Sequence, residues 1–369
     1  MASLGWRTDP RVFHEQYGIQ GMADFDEILG TVVGGSDLSQ ADAEAAIEKL
    51  IAGTVADAQI GLFLSALAFK GEAVTEVAGA ALALRRHMTP IRTARPGLLD
   101  TCGTGGDASG TFNISTAAAL VTAAAGVPVA KHGNRRVTSR SGSADVLAVL
   151  GVNVEASVDV VEHCLDELGI CFCFAPLLHG ALKNVAQVRR TLEMPTIFNL
   201  LGPLANPAGA QYQLLGVGKP ERRWLLAEAL ELLGTEHALV VTGRDGLDEV
   251  TVAAATDVIE IGDGTTRSHE WTPEDFGLAR SSLSGVHIDD TESSDFGQSA
   301  PEQSARIITQ VLAGEPGSAR DLVVINAAAG LLAAQAEADP RAAAERAAAA
   351  IDSGQARQLL ERLVAVTNA

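Results

Sequence analysis

The chain has 369 residues, 47% of them hydrophobic, and its 46 acidic side chains outnumber 27 basic ones to leave a formal net charge of −19. A chain of this length and apolar content can bury one large core or two modest ones. No apolar run approaches a membrane span, the start MASLGWRTDP lacks the regions of a signal peptide, and the acidic balance argues against nucleic acid or an anionic membrane as main partner; a soluble cytoplasmic protein is expected.

Residues 38–88 read as consecutive amphipathic helices, Leu38 and Ser39 opening one and AQIGLFLSALAFKG forming another. From Leu98 the pattern changes to short β-rich runs alternating with helices, at 127–130, 152–155, 170–174, 213–217, 238–242 and 258–261. That alternation predicts an α/β domain on a largely parallel sheet. Within 170–174, Cys171 and Cys173 point to one face as small buried hydrophobes; with Cys102 and Cys164 they form no C-x-x-C pair, so neither a structural metal nor a disulfide framework is expected. The segment 281–301 is polar and reads as a surface excursion, and two or three Ala-rich helices, one over 342–350, close the chain. There is no internal repeat.

Between Asp107 and Asp145 there is no acidic residue, while Lys131, His132, Arg135, Arg136 and Arg140 all fall in that gap. Positive charge concentrated inside an acidic protein points to a bound anion. The motifs GTGGD (103–107), NIST (113–116), KHGNR (131–135) and SRSGSAD (139–145) suggest phosphates, because glycine turns let backbone N–H groups approach oxygen atoms closely. The small-residue run 117–125 reads as a helix ended by Gly126, which places Ser115 and Thr116 at a helix N-terminus that favours an anion. Taken singly, GTGGD is equally an ordinary strand-to-helix turn, and Ser115 and Thr116 are equally plain N-caps.

Residues 103–108 satisfy a permissive G-x-G-x-x-A pattern, but no Asp or Glu follows about 20 residues later to bind a ribose, so a dinucleotide site is not expected. No G-x-x-x-x-G-K-[ST] occurs either, which removes the P-loop reading. After the run 238–242 comes GRDGLDE, whose adjacent Asp248 and Glu249 suit a hard cation such as Mg2+; a solvated acidic turn is the bland alternative.

The order GTGGD, NIST, KHGNR, SGSAD and TIFNLLGPLANP (196–207), together with the early segment 37–72, resembles the anthranilate phosphoribosyltransferases of tryptophan biosynthesis from about Met22 onward. The resemblance implies a small all-α N-terminal domain over 22–95, joined by helices within about 184–205, and a larger α/β domain over 96–369 with a largely parallel sheet. The active site would lie in the cleft between them, with a homodimer formed through the helices; residues 1–21 stand outside the pattern as an extension. It implies that phosphoribosyl pyrophosphate is held by Gly103, Thr104, Gly105, Gly106, Asp107, Thr111, Asn113, Ser115, Thr116, Lys131 and Ser143, and that two Mg2+ ions are held by Ser115, Asp248 and Glu249. Gly103, Asn134, His179, Arg189 and Pro203 would shape the anthranilate site. From the residues alone, Arg189 and Arg190 read as a solvated helix face and His179 as a packed histidine. The chain departs from the family pattern at Gly180, where proline is frequent, and at Met194 and Pro195, which replace a glycine-arginine type turn.

The implied reaction joins the anthranilate amine to the anomeric carbon with loss of diphosphate. Charge grows on the departing diphosphate, so Mg2+, the GTGGD backbone, Lys131, Asp248 and Glu249 are expected to act electrostatically. An aromatic amine has a free lone pair at neutral pH, and no general base is assigned. Two other readings are a pyrimidine nucleoside phosphorylase-like enzyme, which would not need the two carboxylates, and a non-catalytic nucleotide- or nucleic-acid-binding homologue, which the net charge disfavours.

Overall fold

In the computed structural model, which describes residues 24–369 other than 108, 137–140, 263 and 290–297, the described chain opens with four helices. The Asp24 carboxylate caps α1 (Phe25–Val33) by accepting the Phe25 N–H, and the Ser39 hydroxyl caps α2 (Gln40–Ala52) by accepting the Asp42 N–H at 3.1 Å. α3 (Asp57–Lys70) and α4 (Val74–His87) follow. The buried Glu76 ties them together, accepting from the N–H groups of Leu38 at 2.9 Å and Ala73 at 2.8 Å while pairing with Lys70 at 2.9 Å. A buried carboxylate is tolerated because donors meet both of its oxygens.

The rest of the chain builds one seven-stranded sheet from β1 (Leu99–Gly103), β2 (Val129–Gly133), β3 (Ile170–Phe174), β4 (Tyr212–Gly216), β5 (His237–Gly243), β6 (Thr256–Gly262) and β7 (Thr265–Trp271), in the order β3-β2-β1-β4-β5-β6-β7. The first five strands pair in parallel; β6 and β7 add antiparallel at one edge. α5 (Ile114–Ala124) links β1 to β2, and α6 (Ser143–Val149) with α7 (Val158–Leu168) links β2 to β3. Between β3 and β4 come α8 (Ala175–Leu178), α9 (Lys183–Leu192) and α10 (Phe198–Leu201), and α11 (Arg223–Leu232) leads to β5. α12 (Ala300–Leu312), α13 (Ser318–Ala333), α14 (Pro340–Asp352) and α15 (Gln355–Thr367) end the chain.

Alternation along the strands divides burial between two cores. Leu214, Leu239, Val241 and Val258 face the larger one, shared with α5 and α12 to α15. Their neighbours Leu215, Val240 and Ile259 face the other, which runs through α11 into α1 to α4 and reaches α9 and α10 through Val185, Val188 and Leu201. Both faces of the parallel strands are therefore covered, which is why they read as apolar runs.

Residues 152–155 are not a strand. Asn153 Oδ1 accepts the Glu155 N–H at 3.1 Å and the Asn153 N–H goes to Thr367 Oγ1 at 3.1 Å, so Asx-turn bonding overrides the β propensity of two buried valines. β1 and β7 lay outside the predicted runs: the first carries Asp100 and Thr101, and the second, TTRSHEW, is a largely exposed polar edge. α5 starts at Ile114, earlier than its alanine run suggests, and across its first turn the Thr116 hydroxyl donates to Asn113 Oδ1. The polar excursion is partly strapped down, since the Phe112 N–H donates to Val286 O at 2.9 Å and the Ile288 N–H to Gly110 O at 2.8 Å. Residues 290–297 and the extension 1–21 lie outside the described residues. Cys171 and Cys173 are buried with sulfur atoms 3.8 Å apart.

Candidate active site

From β1 the chain proceeds to β2 and β3 on one side, then returns through β4 and β5 on the other, so β1 and β4 form the switch point of the sheet. Open parallel sheets bind ligands in the crevice outside the carboxyl ends of such strands. A cleft of about 480 Å³ lies there, and Gly103, Thr104, Gly105, Asp107, Thr111, Asn113, Ser115, Lys131, Asn134, Ser143, Asp248 and Glu249 are on its wall.

The carboxylate pair reaches this place because the loop after β5 folds back over the ends of β1 and β4. Gly216 makes that possible, since any Cβ there would collide with the Asp248 carbonyl oxygen, and a Cβ on Gly103 would stand 2.7 Å from Asp248 Oδ2. Asp248 Oδ2 accepts the Gly105 N–H at 3.2 Å. Burial, then the neighbouring Asp107, push the Asp248 carboxyl up to about 7. Burial and Asp248 hold Glu249 well above its usual range, against the opposing pull of Lys131.

Lys131, in the middle of β2, is buried and donates to Thr101 O at 2.6 Å and to Ser115 Oγ at 3.1 Å. Burial lowers its pKa while Asp100, Cys102 and Glu249 raise it. Ser115 sits in the first turn of α5, at the positive dipole end of the helix, and its backbone N–H meets the Glu249 carboxylate. Asn113 braces that turn, its N–H donating to Ser304 Oγ at 2.8 Å and its Nδ2 to Ser141 O at 3.3 Å. Asn134 is exposed, and its carbonyl accepts the Ala144 N–H at 3.1 Å, which holds the start of α6 against it.

Other predicted residues are placed differently. Gly106 is exposed and Thr116 is buried behind Asn113, so neither is on the cleft wall. Of the basic residues, Arg135 lines the cleft but is paired with Glu155 at 2.7 Å and Asp145 at 3.4 Å, and Arg140 lies outside the described residues. The local charge excess is thus partly compensated by acidic residues from 145 onward. His179, Arg189 and Pro203 lie off the cleft wall. Arg190 is exposed and bonds Gln187, a solvated helix face; Arg189 is half-buried with its guanidinium 5.2 Å from the Phe198 ring centre.

His132 lines the cleft although the motif reading used it only as charge. Its Nδ1 lies 2.9 Å from Gly202 O, a carbonyl that can only accept, so Nδ1 carries the proton and Nε2 accepts from His179 Nε2 at 3.2 Å. His179 Nδ1 is then a buried lone pair with no partner among the described residues. Burial holds His132 at about 4 and His179 at about 3, so both rings are neutral. The buried Asp100 accepts the His132 backbone N–H at 3.0 Å, and Gln213 Nε2 donates to Pro203 O at 2.5 Å, joining the GPLANP loop to the start of β4. The position of His132 within KHGNR was the available signal for its place in the site.

Asp248, Glu249 and Ser115 offer hard oxygen donors on one wall. Among the described residues no group of three or more His, Cys, Asp or Glu is arranged to hold a metal unaided. A cation here would complete its shell with substrate oxygens and water, the habit of Mg2+.

The family described as "Glycosyl transferase family, a/b domain" matches residues 95–357, and its helical bundle domain matches 26–88. The chain is 49% identical over 336 residues to the anthranilate phosphoribosyltransferase of Symbiobacterium thermophilum, covering 91% of this chain and 96% of that protein. It is 51% identical over 333 residues to that of an Anaeromyxobacter species, covering 90% and 95%. The crystal structure of the Thermus thermophilus enzyme superposes with a TM-score of 0.85 at 41% identity, covering 93% of this chain and 99% of that one. The Saccharomyces cerevisiae enzyme in complex with phosphoribosyl pyrophosphate and Mg superposes with a TM-score of 0.82 at 26% identity, covering 94% and 99%. The chain belongs to the glycosyl transferase family and, within it, to the anthranilate phosphoribosyltransferases.

Proposed function

We propose that this chain holds phosphoribosyl pyrophosphate along the strand-end cleft, with Mg2+ on its diphosphate, and transfers the phosphoribosyl group to the amine of anthranilate. The observation that carries the reading is the meeting of Asp248 and Glu249 with Ser115 and Lys131 at the switch point of the sheet. Carboxyls raised by burial and by one another lack sufficient positive charge, which suits a divalent cation brought in with an anionic donor. We read two Mg2+ ions, with Asp248, Glu249 and Ser115 as the protein ligands; bound there, Mg2+ neutralises charge on the leaving diphosphate.

The remaining work falls to the chain. Glycine N–H groups of residues 103 and 105, the first turn of α5, and the side chains of Asp107, Thr111, Asn113, Lys131 and Ser143 align the donor, with Thr116 bracing Asn113 from behind. Gly103 and Asn134 on the cleft wall, with His179, Arg189 and Pro203 beyond it, orient the acceptor, the guanidinium of Arg189 being suited to a carboxylate. Alignment matters most, because the bond from nitrogen to the anomeric carbon forms as the bond to diphosphate breaks.

Leu62 and Phe69 on α3 are 51% and 83% exposed and two helical turns apart, an apolar face that supports a homodimer formed through the helical layer. Among the described residues no helix is long and apolar enough to cross a membrane, and we place the reaction in the cytoplasm. Loss of anthranilate fluorescence tests the reaction: it should require phosphoribosyl pyrophosphate and Mg2+ together. Cleavage of uridine by inorganic phosphate, with anthranilate untouched, would overturn it in favour of a nucleoside phosphorylase.

A further inference from the structure

Beyond Gly243, the loop that carries Asp248 and Glu249 leaves the strand ladder, yet the next residue, Val250, is fully buried. Buried backbone groups require partners, and both of those on Val250 are taken by one side chain. The Val250 N–H donates to Asn326 Oδ1 at 2.9 Å, and Asn326 Nδ2 donates to Val250 O at 2.8 Å. The second Nδ2 hydrogen goes to Leu322 O, one turn back in α13, also at 2.8 Å. Since Val250 N–H can only donate and the two carbonyls can only accept, this is the sole orientation of the amide that satisfies all three. Asn326 is 0% exposed, so no water substitutes for any of these bonds.

The same helix also grips the other half of the oxygen site. The Thr122 hydroxyl donates to Ala327 O at 3.3 Å, and Gly330 packs so closely that an added Cβ would come within 3.0 Å of Thr122 Oγ1. Thr122 belongs to α5, whose first turn carries Ser115. Adjacent residues of α13 thus contact the helix bearing Ser115 and the loop bearing the carboxylates.

We infer that Asn326 is a positioning residue for transfer: its amide clamps the Val250 backbone and so sets Asp248 and Glu249 against Ser115 for the Mg2+ diphosphate. The inference rests on the proposed function. Helix α13 supplies the fixed reference, and the amide copies the pairing of a missing strand.

The test measures binding of phosphoribosyl pyrophosphate with Mg2+ by calorimetry to the full chain, for wild type, Asn326→Leu, Asn326→Ser and Thr122→Val. Leucine keeps volume and helix propensity but removes all three bonds; serine serves if the leucine variant does not fold. Removing groups that orient metal ligands weakens binding roughly 10- to 100-fold, and that loss is expected in both Asn326 variants. Turnover should recover as Mg2+ is raised, while the anthranilate KM stays at its wild-type value. Thr122→Val, which retains the amide clamp and gives up only the grip on α5, should weaken binding less than either Asn326 variant. Undiminished binding by a folded Asn326 variant overturns the inference, and so does a loss that spreads equally to anthranilate and is not rescued by Mg2+. No binding by the wild type removes instead the functional reading beneath it.

Discussion

Asp248→Asn separates charge from shape. The amide keeps an oxygen for the Gly105 N–H, now bonded at 3.2 Å, and removes one negative charge from a wall that also holds Asp107 and Glu249. Like charges about 4 Å apart repel by about 1 kcal/mol in water and about 4 kcal/mol at an effective dielectric of about 20. Asp248 is half-buried in the cleft wall, so the repulsion lies between those figures, and above pH 7, where the carboxyl is charged, the unliganded variant should be more stable by about 1 to 4 kcal/mol. Turnover should move the opposite way, because losing one group that stabilises charge in the transition state costs about 100-fold or more, roughly 3 kcal/mol. Chemical denaturation of the unliganded protein gives the first quantity and anthranilate fluorescence at saturating donor and Mg2+ the second. Wild-type turnover in the variant would remove Asp248 from the mechanism. A loss of turnover accompanied by a loss of unliganded stability would show instead that the loop, not the charge, had been disturbed.

The paired histidines make stability depend on pH. Their folded values of about 4 for His132 and about 3 for His179 lie below the ordinary 6.5, so the unfolded chain binds more protons between those limits. Their contribution is complete above pH 6.5 and is lost on acidification by about 1.4 kcal/mol per pH unit for each ring. Denaturation midpoints followed from about pH 7 to about pH 5 should fall less steeply in His179→Asn than in wild type, and parallel curves would refute the assignment. Arg189→Ala should raise the anthranilate KM about 10- to 150-fold, the worth of a charged hydrogen bond. An unchanged preference for anthranilate over aniline in that variant would transfer the role to another residue. Glu193 ends α9 with φ 48°, a left-handed conformation that costs a residue with a Cβ about 1 kcal/mol, so Glu193→Gly should raise the melting temperature. A lower melting temperature would show that the Glu193 side chain contributes more than its backbone costs.

The phosphate-type motifs were legible because each is local. GTGGD needs consecutive glycines in one turn, and NIST needs its hydroxyls in the first turn of the helix that follows; both conditions are written within a few residues. The carboxylate pair was legible as chemistry, but its placement was not. That depends on Gly216, distant in sequence, lacking a Cβ where the Asp248 carbonyl passes. His132 was visible in its motif, whereas its proton arrangement depends on Gly202 O and His179, which only folding brings to it. The strand expected at 152–155 failed because Asn153 bonds Glu155 and Thr367, a competition that β propensity does not register.

By itself, then, the sequence determined the helical start, the parallel α/β core, the glycine turns and the candidate oxygen ligands, since these follow from periodicity, glycine geometry and side-chain chemistry within short spans. Tertiary structure decided which positive charges are already paired, as Arg135 is with Asp145 and Glu155, and which predicted residues reach the cleft wall. It also decided that Asn326 holds Val250, 76 residues away. Such relations depend on distances across the fold, and no local pattern encodes them: a buried amide is specified by the unpaired backbone groups it meets, and those exist only once the sheet has ended and the loop has turned back over it.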